Sequence, residues 1–588
     1  MKNIKYIGIS LIMMFAITAC NDFLDVNINP NSTSDLSATI SSRLPWIQHH
    51  YLKGQFWAGE HACFITQQTT STFSSTEPSI GWRTGHGWLA GWKPYPASVN
   101  LNTMAYQYFF IGAGGNFNTT YAKAEAEGAY HYMGAIKAIR AAGFMLMTDL
   151  HGEMPYHEAF SAKANPKLDD GQTIFMGCLA EIDEAIALFQ RVQATGATPL
   201  RNGDIWNGGD ANKWIKMCYG LKARWLNNLS KKTSLYDSEA ILQCLTNAPQ
   251  SNNDNTIEQH EDVAGDATDH IWNDPFRTSI LYDGLAGDAQ ERIRVTKWYA
   301  DLLSNFDNQG IEDPRANKLI PCAQFGGENK YWKRSEGVDM QSDIRLNSGP
   351  AETKYDNATK QWTVTGSRLQ DTVYVSFHAK SAARDGASDD THKASDGTVL
   401  SSGTFYTRPT SPSHFLCYHE MCFIKAEVLF KKNDKPGAFA AYKEGVKAHI
   451  DLMNSKLQEY GLSENPSKSI MEQSGINNFL NNAIGTADNL TIGKIMTQKF
   501  IAMSFSLQNW NDMRRHDYST TAYPGWAIPY EYFSNTTSQR AIPLGSQFRR
   551  FVQPVRETMY NQENVAASHP HALLDDIYSF PVWWDTAE

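Results

Sequence analysis

Charge is scarce in this chain of 588 residues: Asp, Glu, Lys and Arg make up 19%, against roughly 25% in a typical soluble domain. No basic run exceeds a Lys-Lys or Arg-Arg pair, and the formal net charge is −10. Phosphate backbones call for a basic patch, so nucleic acid is not an expected partner. After the first twenty residues no stretch is long and uncharged enough to span a bilayer. Cys-x-x-Cys spacing is absent. Cys63, Cys178, Cys218, Cys244, Cys322, Cys417 and Cys422 read as small buried hydrophobes rather than bridges or ligands. Catalytic motifs are also missing. His419-Glu420-Met421-Cys422-Phe423 opens like a zincin motif but has Phe423 where the second imidazole must sit, so a helix-surface His-Glu pair is expected. Gly112-Ala113-Gly114-Gly115 lacks the Lys-Ser or Lys-Thr of a phosphate loop and reads as a flexible turn. His49 and His50 are adjacent and cannot share a helical face. No metal and no cofactor are expected, and nothing among 62 acids marks out a glycosidase pair.

Hydrophobic residues reach 42% and aromatics 12%, with 16 Trp, 26 Tyr and 28 Phe. Disorder and coiled coil are excluded, and a recognition surface rich in neutral polar and aromatic groups is favoured. At the N-terminus Lys2 and Lys5 precede an apolar stretch from Ile7 to Ala19 with the layout of a secretory signal. It ends Ile17-Thr18-Ala19-Cys20, which resembles a bacterial lipobox. The expected organisation is a signal peptide over 1–19, a lipidated tether over 20–45 that begins at Cys20, and a single superdomain over 46–588. Two or more acyl chains anchor stably where one does not.

Within 121–150, Ala129, Tyr132, Ile136, Ile139, Gly143, Leu146 and Leu150 recur at alternating spacings of three and four and predict one long helix ending at His151-Gly152. Further helices are expected over 172–191 and through Trp214, Cys218, Leu221, Trp225 and Leu229. A pair over 413–431 and Phe439 to Met453 should break at Asn433-Asp434-Lys435-Pro436, and one more helix should run from Ile492 to Trp510. Helix pairs with interleaved small and aromatic residues suggest a mainly α fold, a tetratricopeptide-like scaffold without a strict period. The irregular middle, about 245–412, carries alternating segments at 361–365 and 372–377 that read as a small β-hairpin. Prolines, among them Pro524, Pro529, Pro543, Pro554 and Pro581, break up 518–588.

Six local patterns together resemble one family. They are Cys20-Asn21-Asp22-Phe23-Leu24-Asp25 with Asn29-Pro30-Asn31; Gly152-Glu153-Met154-Pro155-Tyr156; Asp313-Pro314-Arg315; Ala426-Glu427 with Ala441-Tyr442 and Gly445-Val446; Trp510-Asn511-Asp512-Met513-Arg514-Arg515; and Arg550, Pro554, Glu557, Asn561 and Asn564. In that order they are similar to the SusD/RagB-like outer-membrane lipoproteins of glycan and peptide uptake, with Glu153 and Met154 departing from the commonest residues. The resemblance implies a helical scaffold, a lipid-anchored outer-membrane location exposed at the cell surface, and a lid role over a SusC-like TonB-dependent transporter. It implies a binding protein and not an enzyme. The alternatives are a lipid-anchored glycoside hydrolase and a peptide-binding tetratricopeptide scaffold.

The candidate ligand residues are aromatic and lie in loops. Trp82, Arg83, His86, Trp88, Trp92 and Tyr95 stand among Gly81, Gly85, Gly87, Gly91 and Pro94, without helical spacing. Trp272 and Asn273 lie in a similar stretch with Phe276, Arg277 and Tyr282. An indole packs against the C–H face of a sugar, while hydroxyls need Asn or Arg partners, so an oligosaccharide is the expected ligand and a peptide the alternative. Trp88, between Gly87 and Gly91, is the first choice. Trp583-Trp584 is read as packing.

Overall fold

The computed structural model describes residues 37–71, 101–261, 293–325, 331–337, 339, 351–356, 361–367, 373–374, 392–401, 403–408, 410–528 and 547–587. Its axis is α1 (Ile40–Ile65), 26 residues long and opened by Thr39, whose hydroxyl accepts from the Ser42 amide. Ile40, Leu44, Ile47, Tyr51, Ala58, Ala62 and Ile65 are buried, and so are His49, Glu60 and His61 between them. A helix covered on all sides belongs at the centre of a large fold. Around it pack α2 (Leu101–Gln107), which continues into a π turn over Tyr108–Ala113, α3 (Phe117–Glu127) and α4 (Tyr130–His151).

Beyond this layer stand helix pairs. α4 packs along α5 (Gly171–Phe189), and α6 (Ala211–Asn228) along α7 (Ser238–Asn247). Two short helices follow, α8 (Lys297–Ser304) and α9 (Ala316–Leu319). Then α10 (Tyr418–Lys431) packs along α11 (Lys435–Glu459). Asp170, Asp210, Asp237 and Asp434 cap α5, α6, α7 and α11 by accepting from first-turn amides. Glycine sets the pair spacing: a Cβ on Gly445 would lie 3.1 Å from the Phe423 ring and one on Gly134 3.1 Å from that of Phe189. The chain closes through α12 (Gln473–Asn482), α13 (Ile492–Ala502), α14 (Leu507–Arg515), α15 (Val555–Tyr560) and α16 (Gln562–Ser568). Among the described residues the strands form short antiparallel ladders. β1 (Thr69–Ser71) pairs with β3 (Ile293–Val295), and β2 (Thr256–Glu258) with β11 (Ser413–Leu416). β4 (Cys322–Phe325) lies between β5 (Tyr331–Arg334) and β8 (Val373–Tyr374). β6 (Ala351–Asp356) pairs with β7 (Gln361–Ser367), and β9 (His392–Lys393) with β10 (Val399–Leu400).

The mainly α, helix-pair architecture agrees with the sequence pattern, and several details differ for identifiable reasons. The helix expected over 121–150 is two, parted where Gly128 adopts φ 66° against the Ala194 side chain. The helix from Ile492 to Trp510 is also two, because Phe505 turns left-handed at φ 64° and Ser506 caps α14. Residues 413–416, read as the start of a helix, form β11 against β2. Strand β7 pairs with the preceding β6 rather than with 372–377, and Val373–Tyr374 joins β4. α1 starts at Ile40, inside the stretch expected as tether over 20–45. His419 and Glu420 are buried and not on a helix surface, since Glu420 receives a two-pronged contact from Arg224, 2.6 Å from each prong. The Gly112–Gly115 stretch is not a loose turn; a Cβ on Gly112 would lie 2.4 Å from the His50 ring. The seven described cysteines are free and buried. Trp584 is fully buried, with its indole N–H 2.8 Å from Asp149 Oδ1.

Candidate functional site

Among the described residues, the charged ones that carried the family pattern form buried polar nodes. Arg515 on α14 grips Glu427 on α10 with two nitrogens and reaches Asp512 Oδ1 at 2.8 Å, while Lys499 on α13 lies 2.8 Å from Asp512 Oδ2. Arg515 and Lys431 beside Glu427 hold its carboxyl well below the usual range against the cost of burial. Arg514 donates to the carbonyls of Asp149 and Arg549 at 2.7 and 2.6 Å. Arg550 donates to Glu153 Oε2 at 2.6 Å and to the carbonyls of Phe580 and Pro581, tying 151–153 to the C-terminal segment. Gly152, at φ 85°, leaves room for that guanidinium, 2.6 Å from where a Cβ would be. Arg315 contacts Asp313 Oδ2 at 2.5 Å and donates to His449 Nδ1 at 3.0 Å, which leaves His449 Nε2 for the Tyr406 hydroxyl at 2.8 Å. Their chemistry is that of a brace, because every charge faces an opposite charge or a hydrogen-bond partner.

The C-terminal end of α1 is where several segments of the chain meet. Cys20, Trp82, Arg83, His86, Trp88, Trp92, Tyr95, Trp272 and Asn273 all lie outside the described residues. The points where the chain meets their segments are described. Ser71, just before 72–100, is paired with Ile293, just after 262–292, in the β1/β3 ladder. One end of each aromatic-rich stretch is therefore fixed at a single place. A turn over 521–527 is pinned there as well. Trp526 Nε1 donates to the Thr66 carbonyl at 3.2 Å, Gln67 Nε2 to that of Ala527 at 2.6 Å, and Trp298 Nε1 to that of Pro524 at 3.0 Å. Thr296 donates to the Gln67 carbonyl through its hydroxyl and to that of Gln68 through its amide, at 3.3 Å, joining β3 to α1.

The root of the second stretch is a buried cluster. His49 Nδ1 pairs with Glu258, and Trp206 Nε1 donates to Glu258 Oε2 at 3.2 Å. Burial pushes the Glu258 carboxyl up to about 7 and His260 down to about 4. The space between α1, β11 and the α13–α14 turn, beside Gln55, His414 and Ser506, is about 70 Å³, room for a few waters. A larger groove of about 340 Å³ between α7, α10 and α11 has mainly small and aliphatic walls, with Tyr418 as its one aromatic lining residue and Gln250, Lys425 and Glu444 as its polar ones. Among the described residues no group of three or more His, Cys, Asp or Glu could hold a metal ion, and no helix is long and apolar enough to cross a membrane. Sequence reasoning passed over Trp298, because it stands alone in a helical pattern rather than among glycines.

Residues 81–529 match the SusD-like family described as "Starch-binding associating with outer membrane". A SusD/RagB family protein from Bacteroides thetaiotaomicron is 20% identical, with a TM-score of 0.61 over 93% of this chain and 99% of that one. A chitin-binding SusD homolog from Flavobacterium johnsoniae is 17% identical, with a TM-score of 0.58 over 92% and 98% of the two chains. A third solved structure, a chitin-binding protein, is 19% identical, with a TM-score of 0.62 over 93% and 100%. No curated protein sequence matches. At these identities the structures speak for the fold alone, whereas the family match spans most of the sequence. The chain belongs to the SusD-like family, and its mainly helical, tetratricopeptide-like scaffold is that family's fold.

Proposed function

We propose that this protein is a lipid-anchored, surface-exposed outer-membrane protein that binds an oligosaccharide and delivers it, as a lid, to a SusC-like TonB-dependent transporter. The observation that carries the proposal is the β1/β3 ladder, which anchors one end of both aromatic-rich stretches, 72–100 and 262–292, at one point. Trp82, Trp88, Trp92 and Trp272 would stack on sugar rings, and Arg83, His86, Tyr95 and Asn273 would meet hydroxyls. The family's starch-binding description and two chitin-binding relatives in fold favour glycan over peptide. A braced scaffold lowers the ordering cost of binding. Ligand trapped between lid and transporter stabilises the closed state only as far as it prefers that state. No residue is assigned a catalytic role.

Cys20 would carry the lipid after removal of 1–19. Cys20→Ala is expected to abolish membrane association and end uptake, while the purified protein still binds the same oligosaccharide. Fractionation of washed membranes beside an uptake assay checks this. A variant that still pellets with membranes contradicts the anchor, and uptake at the normal rate by a released variant contradicts the lid.

A further inference from the structure

We infer that Trp298 presents a fixed stacking face to the same oligosaccharide, an inference that rests on the glycan-binding function proposed above. On α8 the fully buried positions are Tyr299, Ala300 and Leu303. Trp298 lies off that stripe and is half-buried, between exposed Lys297 and the packed face. The ring packs against the core on one side only, and part of its surface is left to solvent.

The ring is held as a platform would be. Its only polar atom is already used, since Nε1 donates to the Pro524 carbonyl at 3.0 Å. One side leans on Phe500, with ring centroids 4.9 Å apart and planes inclined by 59°. Beside it, exposed Gly525 adopts φ 79°, and a Cβ there would stand 3.5 Å from Trp298 Cδ1. Glycine thus serves two needs, permitting the left-handed turn and leaving the pyrrole edge uncovered. The turn beneath is tied to α1 through Trp526 and Gln67, so little freedom is left to lose when a ligand lands. Lys297 and Asp301, both exposed and joined 2.8 Å apart on the same helix, are loosely held groups able to turn toward hydroxyls. Trp298 is three residues from Val295, whose partner across the ladder is Thr69. It therefore sits beside the point where the two aromatic stretches are anchored.

The test uses the full mature chain with maltoheptaose and chitohexaose as probes, titrated calorimetrically into wild type, Trp298→Ala and Trp298→Phe, with melting followed in parallel. A stacked ring is worth roughly two- to tenfold in affinity, so Trp298→Ala should weaken binding by about that factor and Trp298→Phe by less. In case the Ala variant folds poorly, oxidation of Trp298 by N-bromosuccinimide in wild type, located by mass spectrometry, should be slowed by the bound probe. Undiminished affinity in a folded Trp298→Ala, or oxidation at the same rate with and without bound probe, overturns the platform while leaving glycan binding intact. If wild type binds neither probe nor any other oligosaccharide, the glycan function falls and the platform with it.

Discussion

Replacing Arg515 with Ala is expected to destabilise the protein by about 3–5 kcal/mol, the usual cost of removing one partner from a buried ion pair. Arg515, Glu427, Asp512 and Lys499 are all buried, so water cannot take over the lost contacts. Without the guanidinium, Glu427 keeps Lys431 at 2.9 Å and Asp512 keeps Lys499 at 2.8 Å. Two carboxylates would then share two ammonium groups where three cations stood. The brace joins α10, α13 and α14, so its loss should loosen the helix pairs rather than one loop. Equilibrium urea unfolding of wild type and variant checks the figure, and a loss under about 1 kcal/mol would assign the network little weight.

Acid should destabilise the fold steeply between pH 6.5 and about 4.5. Burial lowers His61, His151, His260 and His414 to about 4 and His50 and His419 to about 3. Such groups stay neutral in the fold while the unfolded chain takes up protons below about 6.5. Their contribution is complete above that pH and lost as pH falls toward the folded values. Three carboxyls act in the opposite sense, since burial raises Glu60 to about 8, Glu258 to about 7 and Asp149 to about 6. Raised carboxyls contribute fully below their unfolded values and lose that contribution as pH climbs through the folded ones. In the acid window six imidazoles outweigh three carboxyls, and each net proton taken up on unfolding is worth about 1.4 kcal/mol per pH unit. Stability from urea unfolding at pH 7, 6 and 5 should fall at each step; a flat or rising profile would contradict the assignment of neutral buried histidines.

Much of the scaffold was legible because it rests on local periodicity. The three-four spacing from Ala129 to Leu150 marks α4, and Asn433 to Pro436 marks the turn before α11. The misreadings fall where a single residue decides. Phe505 takes a left-handed conformation that its side chain does not announce, and Ser413 to Leu416 becomes strand only because Thr256 to Glu258 lies alongside. Buried charge was harder to foresee. His419-Glu420 looks like a surface pair until Arg224 arrives from a helix 196 residues away in sequence, and Arg550 meets Glu153 across 397 residues. The family-like segments were visible as patterns, but their work as braces depends on partners brought together by the fold. The candidate ligand residues were chosen by composition, glycine and tryptophan without helical spacing, and the structure adds the place where their segments are anchored. Trp298 was missed because nothing in the sequence distinguishes a half-buried indole at a helix start from a core one.

Titration of an oligosaccharide panel, starch- and chitin-derived members included, into wild type and Trp88→Ala, with melting curves beside affinities, tests the central claim most directly. The account predicts that wild type binds at least one oligosaccharide without cleaving it, and that Trp88→Ala weakens this several-fold, in keeping with roughly 0.5–1.5 kcal/mol for a stacked ring, at an unchanged melting temperature. A wild type that binds no glycan, one that releases new reducing ends, or a Trp88→Ala variant with full affinity or a large fall in melting temperature would contradict it.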